Sequence, residues 1–507
     1  MDVFLSGLEM LARFDIALAL LIGSIGGVII GAIPGVGPPV AIAILLPATF
    51  ALPPLVGLTL LLGIYGSSMF GGALPAILIN TPGTAVNALT TYDGHPMARD
   101  GNPLRALGLA YGASFVSAVL SILALILLSP LLARIAPMFG SREIFLAALL
   151  GIVLVVLAHR GQTFPAGMLA ALGIFLATVG LEPVKYTQRF TFGTDTLASG
   201  FDLIVVVMGL FALSQAFTLM ADPEAAPDTK PIKGSLFRAM LEVFRFKRIA
   251  AAGSGFGVLM GMIPGVGEFT AQFLSYTYAQ KSSKTPEQFG KGSPEGLVAS
   301  ESANNAVPAA AMIPLLALGI PGEALTAMML SVFYVHNVVP GPGLFQNQLD
   351  LVYALYAALL ILNVIVVIFL IFASNWLLQI IRVPTRFLGL AILILSFVGV
   401  YTLRNSVSDC VIAAGFGLFG VILKRQNLPV VPIILGMVLG GIMETKLRSA
   451  MGRVRSPLDF VDRPIAGFLA AVIVLLIVGH IWGVIRERRR GLPEDAHDHD
   501  MHHTQQR

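Results

Sequence analysis

The chain has 507 residues, of which 56% are hydrophobic and only 12% are charged, and its mean hydropathy is +0.85. Because a soluble domain carries about 25% charged residues, this composition excludes an ordinary soluble protein and predicts a polytopic membrane protein. The net charge of +4 would suggest nucleic acid binding in a soluble protein, but here the basic residues lie between apolar segments, as the positive-inside rule describes. The single cysteine, Cys410, excludes an internal disulfide and a cysteine-rich metal site.

Apolar runs long enough to cross a bilayer, roughly 17 to 25 residues each, recur along nearly the whole chain. We therefore predict an all-α, polytopic transmembrane helix bundle of about 12 spans. Gly and Pro interrupt the runs at 40–80 and 296–339, which predicts half-helices and hairpins inside the membrane. In chain order the runs lie near 16–33, 40–62, 63–80, 104–132, 142–158, 163–181, 201–220, 249–265, 296–320, 324–339, 350–381, 387–403, 407–423, 428–443 and 465–485.

A charged, proline-bearing segment at 221–248 divides the chain nearly in half. We predict a first transmembrane repeat at 1–220, a linker at 221–248, a second transmembrane repeat at 249–485 and a tail at 486–507. The six basic residues near the linker's centre and end favour a cytoplasmic location. The tail is polar throughout, so its composition predicts disorder. We expect its histidines to be solvated and not to bind a metal ion.

Two motifs occur twice in the sequence. "GAIPGVGPPV" at 31–40 returns 230 residues later as "GMIPGVGEFT" at 261–270. "LPAILINTPGTAVNAL" at 74–89 aligns with "IPLLALGIPGEALTAM" at 313–328, an offset of 239 residues. Two ordered matches at almost one offset predict an internal duplication, with two Pro-Gly breaks in each half and inverted topology of the two repeats.

Pro-Gly breaks have a specific use inside a membrane. Pro lacks a backbone donor and Gly tolerates unusual backbone angles, so the pair unwinds a helix and frees N–H and C=O groups. In hydrocarbon each free group is costly, so such breaks persist where they line a polar cavity. There the N–H groups at a half-helix start attract an anion, and the free carbonyls can coordinate Na⁺. The four breaks therefore predict a transport site near the middle of the membrane.

Polar residues cluster near the breaks of both halves. A carboxylate at membrane depth is a functional-site hypothesis by default, and Glu301 in "ASESANNAVPAA" lies among amide and small residues suited to binding a cation. For Glu301, Asn304 and Asn305 a purely structural role is the open alternative. The complete set is Ser67, Ser68, Asn80, Thr81, Thr84 and Asn87 in the first half, and Glu268, Glu301, Ser302, Asn304, Asn305 and Glu323 in the second.

Other features of the sequence are predicted to be structural or are absent. Asp409 is expected to pair with Arg404 near a helix end. The chain contains no P-loop, no HExxH, no GxSxG and no paired CxxC motif, so we expect no enzymatic activity and no cofactor other than a coupling ion.

The long motifs at 31–50, 77–107, 261–306 and 313–345 resemble the large membrane subunit of the tripartite tricarboxylate transporters, the TctA family. The resemblance extends from about residue 20 to about residue 445 of the chain. It implies a multi-pass secondary transporter of the bacterial inner membrane that is driven by a Na⁺ or H⁺ gradient. It also implies two partners, a small four-helix membrane subunit and a periplasmic solute-binding protein that delivers an organic carboxylate.

The resemblance and the paired breaks together give the expected site residues. The chain departs from the family pattern at Ser300, where a Pro precedes the signature glutamate, and at Glu323, where a small polar residue is typical. An acidic side chain at that position is unfavourable for an anion. We expect a cation to be bound by Ser67, Asn80, Glu301, Asn304 and Asn305, and the substrate by Pro34, Gly35, Gly37, Asn80, Pro82, Gly83, Thr84, Pro264, Gly265, Gly267, Pro321 and Gly322.

The leading hypothesis is therefore symport of an organic carboxylate with Na⁺ or H⁺ by the transport subunit of a tripartite system. A stand-alone carboxylate carrier or channel that needs no binding protein is the alternative. A membrane scaffold is disfavoured, because unwound helices in lipid serve no scaffolding purpose.

Overall fold

The computed structural model describes residues 2–34, 36–159, 161–182, 187–221, 232, 234–381, 383–452 and 457–489. Within this part of the chain the structure is helical apart from one two-stranded hairpin, which confirms the all-α prediction. Three predicted features lie outside the described residues: Gly35, the linker positions 222–231 and 233, and the tail from residue 490.

The first half of the chain contains α1 to α11 and both strands. A π-helical segment at Met208–Leu213 joins α10 to α11, so the two form one continuous helix. The helices are α1 Asp2–Leu11, α2 Phe14–Gly31, α3 Gly37–Thr49, α4 Pro54–Ile79, α5 Ala88–Arg99, α6 Pro103–Ile135, α7 Ser141–Ala158, α8 Thr163–Ala177, α9 Asp195–Ala198, α10 Leu203–Val207 and α11 Ser214–Ala221. Strand β1, Gly180–Leu181, pairs antiparallel with β2, Gln188–Arg189, before α9.

The second half contains α12 to α22. The end of the predicted linker is helical, because α12 and a 3₁₀ segment at Leu241–Phe246 lead directly into α13. The last helix continues to Arg489, four residues into the predicted tail. The helices are α12 Leu236–Met240, α13 Lys247–Gly261, α14 Gly267–Ser282, α15 Pro294–Leu318, α16 Ala324–Val335, α17 Pro342–Asn347, α18 Leu349–Ile381, α19 Thr385–Arg404, α20 Val407–Arg425, α21 Val431–Met451 and α22 Pro464–Arg489.

The helices that could cross a membrane have the predicted polytopic pattern. Among the described residues, nine helices are at least 18 residues long and apolar enough to span a bilayer, while α3, α8 and α16 are apolar but shorter. The four Pro-Gly breaks fall where they were expected, between α2 and α3, α4 and α5, α13 and α14, and α15 and α16. The number of complete crossings, about 12, stays a prediction.

The helices group into two compact units. The first unit consists of Met1–Pro137 and Phe201–Gln426 and contains all four broken-helix pairs. In it the Arg404 guanidinium lies 2.7 Å from the Asp409 carboxylate, which confirms the predicted ion pair. The second unit consists of Met138–Gly200 and Asn427–Arg507. Here Glu444 of α21 pairs with Arg189 of the hairpin at 2.6 Å.

Within the first unit, α2 packs very closely on α4 because glycines line its contact face. Gly23, Gly27 and Gly31 recur every four residues, the spacing that places small residues on one side of a helix and lets two backbones approach. A Cβ atom built on these glycines would lie 2.3, 2.7 and 2.1 Å from the carbonyl oxygens of Leu60, Ile64 and Ser68. No side chain larger than hydrogen fits there without a shift of the helices.

The second repeat has the same contact. Gly253, Gly257 and Gly261 of α13 follow the first three glycines by 230 residues and face the carbonyl oxygens of α15. The corresponding Cβ distances are 3.1, 2.5 and 3.1 Å, and the carbonyls belong to Ala299, Ala303 and Val307, which follow their counterparts in α4 by 239 residues. The two offsets are those of the sequence motifs, so the two halves share this contact residue by residue, as the predicted duplication requires. The inverted orientation of the repeats stays a prediction.

Candidate functional site

In each repeat the two helix breaks touch one another. A Cβ atom on Gly83 would lie 2.1 Å from the carbonyl oxygen of Gly31, so the second break of the first repeat lies against the end of α2. In the second repeat, Gly265 donates a backbone hydrogen bond of 2.6 Å to Gly322, and a Cβ on Gly322 would lie 3.1 Å from the carbonyl oxygen of Gly261. Both repeats therefore bring their Pro-Gly breaks together as a pair.

The breaks depend on residues that adopt left-handed backbone angles. Gly37 and its counterpart Gly267 have φ of 58° and 71° at the starts of α3 and α14, a conformation that costs an ordinary residue free energy. Asn80 and its counterpart Gly319 end α4 and α15 with φ of 56° and 70°. These helices therefore end at equivalent positions because the chain places Asn or Gly there.

Between the repeats, Glu301 of α15 is buried in a shell of neutral donors. Its Oε1 accepts hydrogen bonds from the Asn87 amide at 3.4 Å and from the Thr90 hydroxyl. Its Oε2 accepts from the Ser114 hydroxyl at 3.0 Å and from the Asn305 amide at 3.3 Å. Three of these four donors come from the first repeat, so the Glu301 carboxyl group joins the two halves of the protein.

No Lys, Arg or His of the described chain forms a hydrogen bond or ion pair with Glu301, so four neutral hydrogen bonds stabilise its charge. Burying an ionised carboxylate without a counter-charge is unfavourable even when it is hydrogen-bonded. The site therefore gains free energy by binding a cation or a proton.

Unsatisfied polar atoms lie close to Glu301 along α15. Both side-chain atoms of Asn304, the Oδ1 atom of Asn305 and the Ser302 hydroxyl are buried and have no hydrogen-bond partner among the described residues. A buried amide left unpaired costs about 1–3 kcal/mol, so polar atoms of this kind need a functional explanation. Asn304 lies three positions after Glu301, about one helical turn away, and is suited to a ligand that Glu301 also binds.

The predicted cation ligands are only partly brought together. Glu301 and Asn305 are hydrogen-bonded, and Asn304 shares their helix. Ser67 lies on α4 against Gly27 of α2, where its buried hydroxyl has no partner among the described residues. Asn80 lies apart from this cluster, because it ends α4 with its side chain exposed.

The predicted substrate residues form the touching breaks, but their backbone groups are not equivalent. The N–H of Gly83 donates to the Gly72 carbonyl at 3.3 Å, and that of Gly265 donates to Gly322, so both groups hold the breaks in place. The N–H of Gly322 has no backbone acceptor among the described residues and lies just before α16. The remaining predicted residues lie on the same break segments: Pro34, Gly37, Pro82, Thr84, Pro264, Gly267 and Pro321.

Two further carboxylates lie at the breaks of the second repeat. Glu323 immediately precedes α16 and is buried, and its Oε1 accepts a hydrogen bond from the Tyr65 hydroxyl of α4. Its backbone N–H donates to the Thr326 hydroxyl at 3.0 Å, which caps the start of the helix. Glu268, in the first turn of α14, is also buried, and its Oε1 has no partner among the described residues.

Sequence reasoning missed Tyr65, Thr90 and Ser114 as members of the site. Thr90 and Tyr65 carry no signal that distinguishes them from the other polar residues near the breaks. For Ser114 a signal exists: Ser114, Ser117 and Ser121 recur at spacings of three and four in an apolar helix. That face of α6 packs on α15, where the Ser121 hydroxyl donates to the Ala306 carbonyl.

Asp93 connects the first repeat to the start of α15, the helix that carries Glu301. Its Oδ1 accepts the backbone N–H groups of Gly292 at 3.0 Å and Ser293 at 2.7 Å, and its Oδ2 accepts the Tyr276 hydroxyl at 2.8 Å. Asp93 thus caps α15 from a neighbouring helix. Since Asn87, Thr90 and Asp93 recur every three residues, this side of the α5 segment fixes the position of α15.

Paired helix breaks and buried, unsatisfied polar groups in a helical membrane protein define a membrane transport protein. The model of the family described as "Tripartite tricarboxylate transporter TctA family" matches residues 17–435 of the chain. The chain therefore belongs to the TctA family, whose members are the large membrane subunits of tripartite transport systems, as the resemblance predicted.

Two relatives come from Agrobacterium vitis. The chain is 34% identical to the "Uncharacterized 52.8 kDa protein in TAR-I ttuC' 3'region" over 472 residues, which cover 92% of this chain and 93% of the relative. It is also 34% identical to the "Uncharacterized protein in TAR-II ttuC' 3'region" over 234 residues, which cover 46% of this chain and 97% of that relative. No solved structure matches the chain.

Proposed function

We propose that this chain takes up an organic carboxylate, a tricarboxylate or a related di- or monocarboxylate, across the bacterial inner membrane. In this proposal it is the transport subunit of a binding-protein-dependent tripartite system and uses a Na⁺ or H⁺ gradient. The observation that carries the proposal is the Glu301 carboxylate, which is buried between the two repeats among neutral donors and beside the unsatisfied Asn304 amide.

The substrate carboxylate would bind where the breaks meet. The N–H of Gly322, which has no backbone acceptor among the described residues, and the first turn of α16 present backbone donors and the positive end of a helix dipole, both of which favour an anion. The corresponding break of the first repeat supplies the Thr84 hydroxyl, which donates to the Asn87 amide oxygen at 2.5 Å. Asn87 in turn donates to Glu301, so a hydrogen-bonded chain connects this break to the predicted cation site.

The coupling cation would bind at the Glu301 cluster. The oxygens of Glu301, Asn304 and Asn305 are the hard ligands that Na⁺ prefers, and protonation of Glu301 would serve a H⁺-driven system. Either cation cancels the charge of Glu301 or of the substrate, so moving the loaded site through hydrocarbon costs less free energy than moving either ion alone. Such compensation makes the two movements interdependent, which is the physical basis of symport.

The partners follow from the family, whose large subunit works within a tripartite system. We propose a small four-helix membrane subunit and a periplasmic solute-binding protein, with the latter selecting the carboxylate. A stand-alone carrier or channel is the competing arrangement.

Reconstitution separates these arrangements. The full chain would be placed in liposomes alone and with products of adjacent genes that encode a small membrane protein and a solute-binding protein. Uptake of labelled citrate would be measured under an inward Na⁺ gradient, an inward H⁺ gradient or neither. The proposal expects uptake only with all components and one of the gradients. Uptake by the chain alone would favour the stand-alone carrier, and uptake that ignores both gradients would refute symport.

A further inference from the structure

Glu323 places a carboxylate at a helix break where the equivalent position of the first repeat has a neutral residue. Its counterpart 239 residues earlier is Thr84, at the same position of the first-repeat break. Glu323 is only 7% exposed, follows Gly322 directly, and accepts a hydrogen bond from Tyr65, which comes from the other repeat. The carboxyl group is therefore buried next to the Gly322 N–H that the proposed function assigns to the substrate.

The described residues of the helices that pack against α16 supply no counter-charge to Glu323. The helices packed against α16 are α3, α4, α10 and α15, and their described residues include no Lys, Arg or His. Their titratable groups are Tyr65 on α4, Glu295 and Glu301 on α15, and Asp202 at the start of α10. All of these are acidic or neutral.

Glu268, Tyr334 and His336 are the other titratable groups at the ends of this region. Glu268 follows the facing break, which is joined to Gly322 through Gly265. His336 follows the far end of α16, where its ring contacts the Thr49 carbonyl at 3.3 Å. The imidazole thus lies a whole helix away from Glu323, while the nearer carboxyl group of Glu268 adds negative charge when it is ionised.

An ionised Glu323 would oppose substrate binding. Like charges in a site of low dielectric constant repel strongly, and a substrate carboxylate at Gly322 would lie beside this one. The neutral acid reverses the effect, because its O–H group is a donor that an incoming carboxylate oxygen can accept. Binding of the anion and protonation of Glu323 therefore favour each other.

We propose that Glu323 takes up one proton together with the substrate carboxylate and releases both on the other side of the membrane, so that it is a proton-coupling residue. This inference rests on the proposed carboxylate transport but is independent of which cation Glu301 binds. On the entry side a hydronium ion gives its proton to the Glu323 oxygen that does not accept from Tyr65, which forms an O–H bond and leaves water. On the exit side that O–H bond breaks and the proton returns to water. Tyr65 keeps its own proton throughout and positions the carboxyl group.

Infrared spectroscopy tests the proton site without any substrate. Difference spectra between low and high pH would be recorded for the full chain in liposomes, as wild type and as Glu323→Gln, Glu301→Gln and Tyr65→Phe. We expect a carboxylic-acid carbonyl band that is absent in Glu323→Gln, persists in Glu301→Gln and shifts in frequency in Tyr65→Phe, because the hydrogen bond to the carboxyl group is lost. A Glu323→Gln spectrum that superimposes on the wild-type spectrum would overturn the proposal.

Calorimetry tests the coupling itself. Citrate binding to the purified full chain would be measured in two buffers of different ionisation enthalpy, which gives the number of protons taken up per citrate bound. Relative to Glu323→Gln, the wild type should take up about one additional proton near neutral pH, and Glu323→Gln should still bind citrate. Equal proton uptake by both would overturn the proposal. If neither binds citrate, the substrate class of the proposed function fails for the isolated subunit, and the infrared result still decides whether Glu323 titrates.

Discussion

A methyl group added at Gly27 should destabilise the protein, whereas the same change at the neighbouring Gly26 should not. A Cβ atom at Gly27 would lie 2.1 Å from the Ser67 hydroxyl and 2.7 Å from the Ile64 carbonyl oxygen. The hydroxyl can rotate away, but the backbone carbonyl cannot, so α2 must move off α4. Overpacking of this kind costs about 1–3 kcal/mol.

Gly26 is the matched control, because a Cβ atom there meets nothing within 4 Å. Gly26 lies in the same helix, so Gly26→Ala should stabilise the protein by about 0.5–1 kcal/mol through helix propensity. Because alanine gains the same helix propensity at both positions, the two variants should differ by the overpacking cost alone, about 1–3 kcal/mol. The duplication extends the test to Gly257→Ala, whose Cβ would lie 2.5 Å from the Ala303 carbonyl oxygen, with the unobstructed Gly255→Ala as control.

The assay is the apparent melting temperature of the full chain purified in detergent. Gly27→Ala and Gly257→Ala should each melt below the wild type, and both controls at or above it. If Gly27→Ala melts no lower than Gly26→Ala, the result contradicts the close contact between α2 and α4.

Two other predictions concern the contacts between the repeats. Ser114→Ala should reduce uptake, because it removes a donor to the Glu301 carboxylate and a missing bond to a buried charge costs about 1–3 kcal/mol. Ser117→Ala, which loses only a 3.1 Å bond within its own helix, should transport normally in the same assay, and equal losses would argue against the role of Ser114. Asp93→Ala should lower the melting temperature, because it removes two hydrogen bonds at the start of α15 and one from Tyr276 of α14, while Asp100→Ala, at an exposed position, should leave it unchanged.

Much of the fold could be predicted from the sequence because lipid imposes strict rules on an apolar chain. Uninterrupted apolar runs predicted the long helices, and Pro-Gly pairs at matching offsets predicted the four breaks. The glycines at 23, 27 and 31, and those at 253, 257 and 261, were also readable as a close-packing motif. This motif joins the corresponding pair of helices in both repeats.

Which side chains form the site was harder to predict, because packing between residues far apart in sequence brings them together. Glu301 was identifiable as an acidic residue inside an apolar run, yet its partners Thr90 and Ser114 are more than 180 residues away in sequence. Asn80, by contrast, was predicted as a ligand from a family motif. In the structure its left-handed backbone ends α4, and its side chain is exposed. Local sequence therefore indicates where a helix breaks, but not which side chains meet beside the break.

The Glu301 cluster between the repeats is proposed to couple cation binding to carboxylate transport. The most direct test is gradient-driven citrate uptake by the reconstituted tripartite system containing Glu301→Gln or Asn304→Ala, with the exposed Glu287→Gln as control. Both cluster variants should lose at least about tenfold in uptake rate, a loss of roughly 1.4 kcal/mol, while the control transports like the wild type. Undiminished, ion-dependent uptake by Glu301→Gln and Asn304→Ala would show that the cluster does not couple the two.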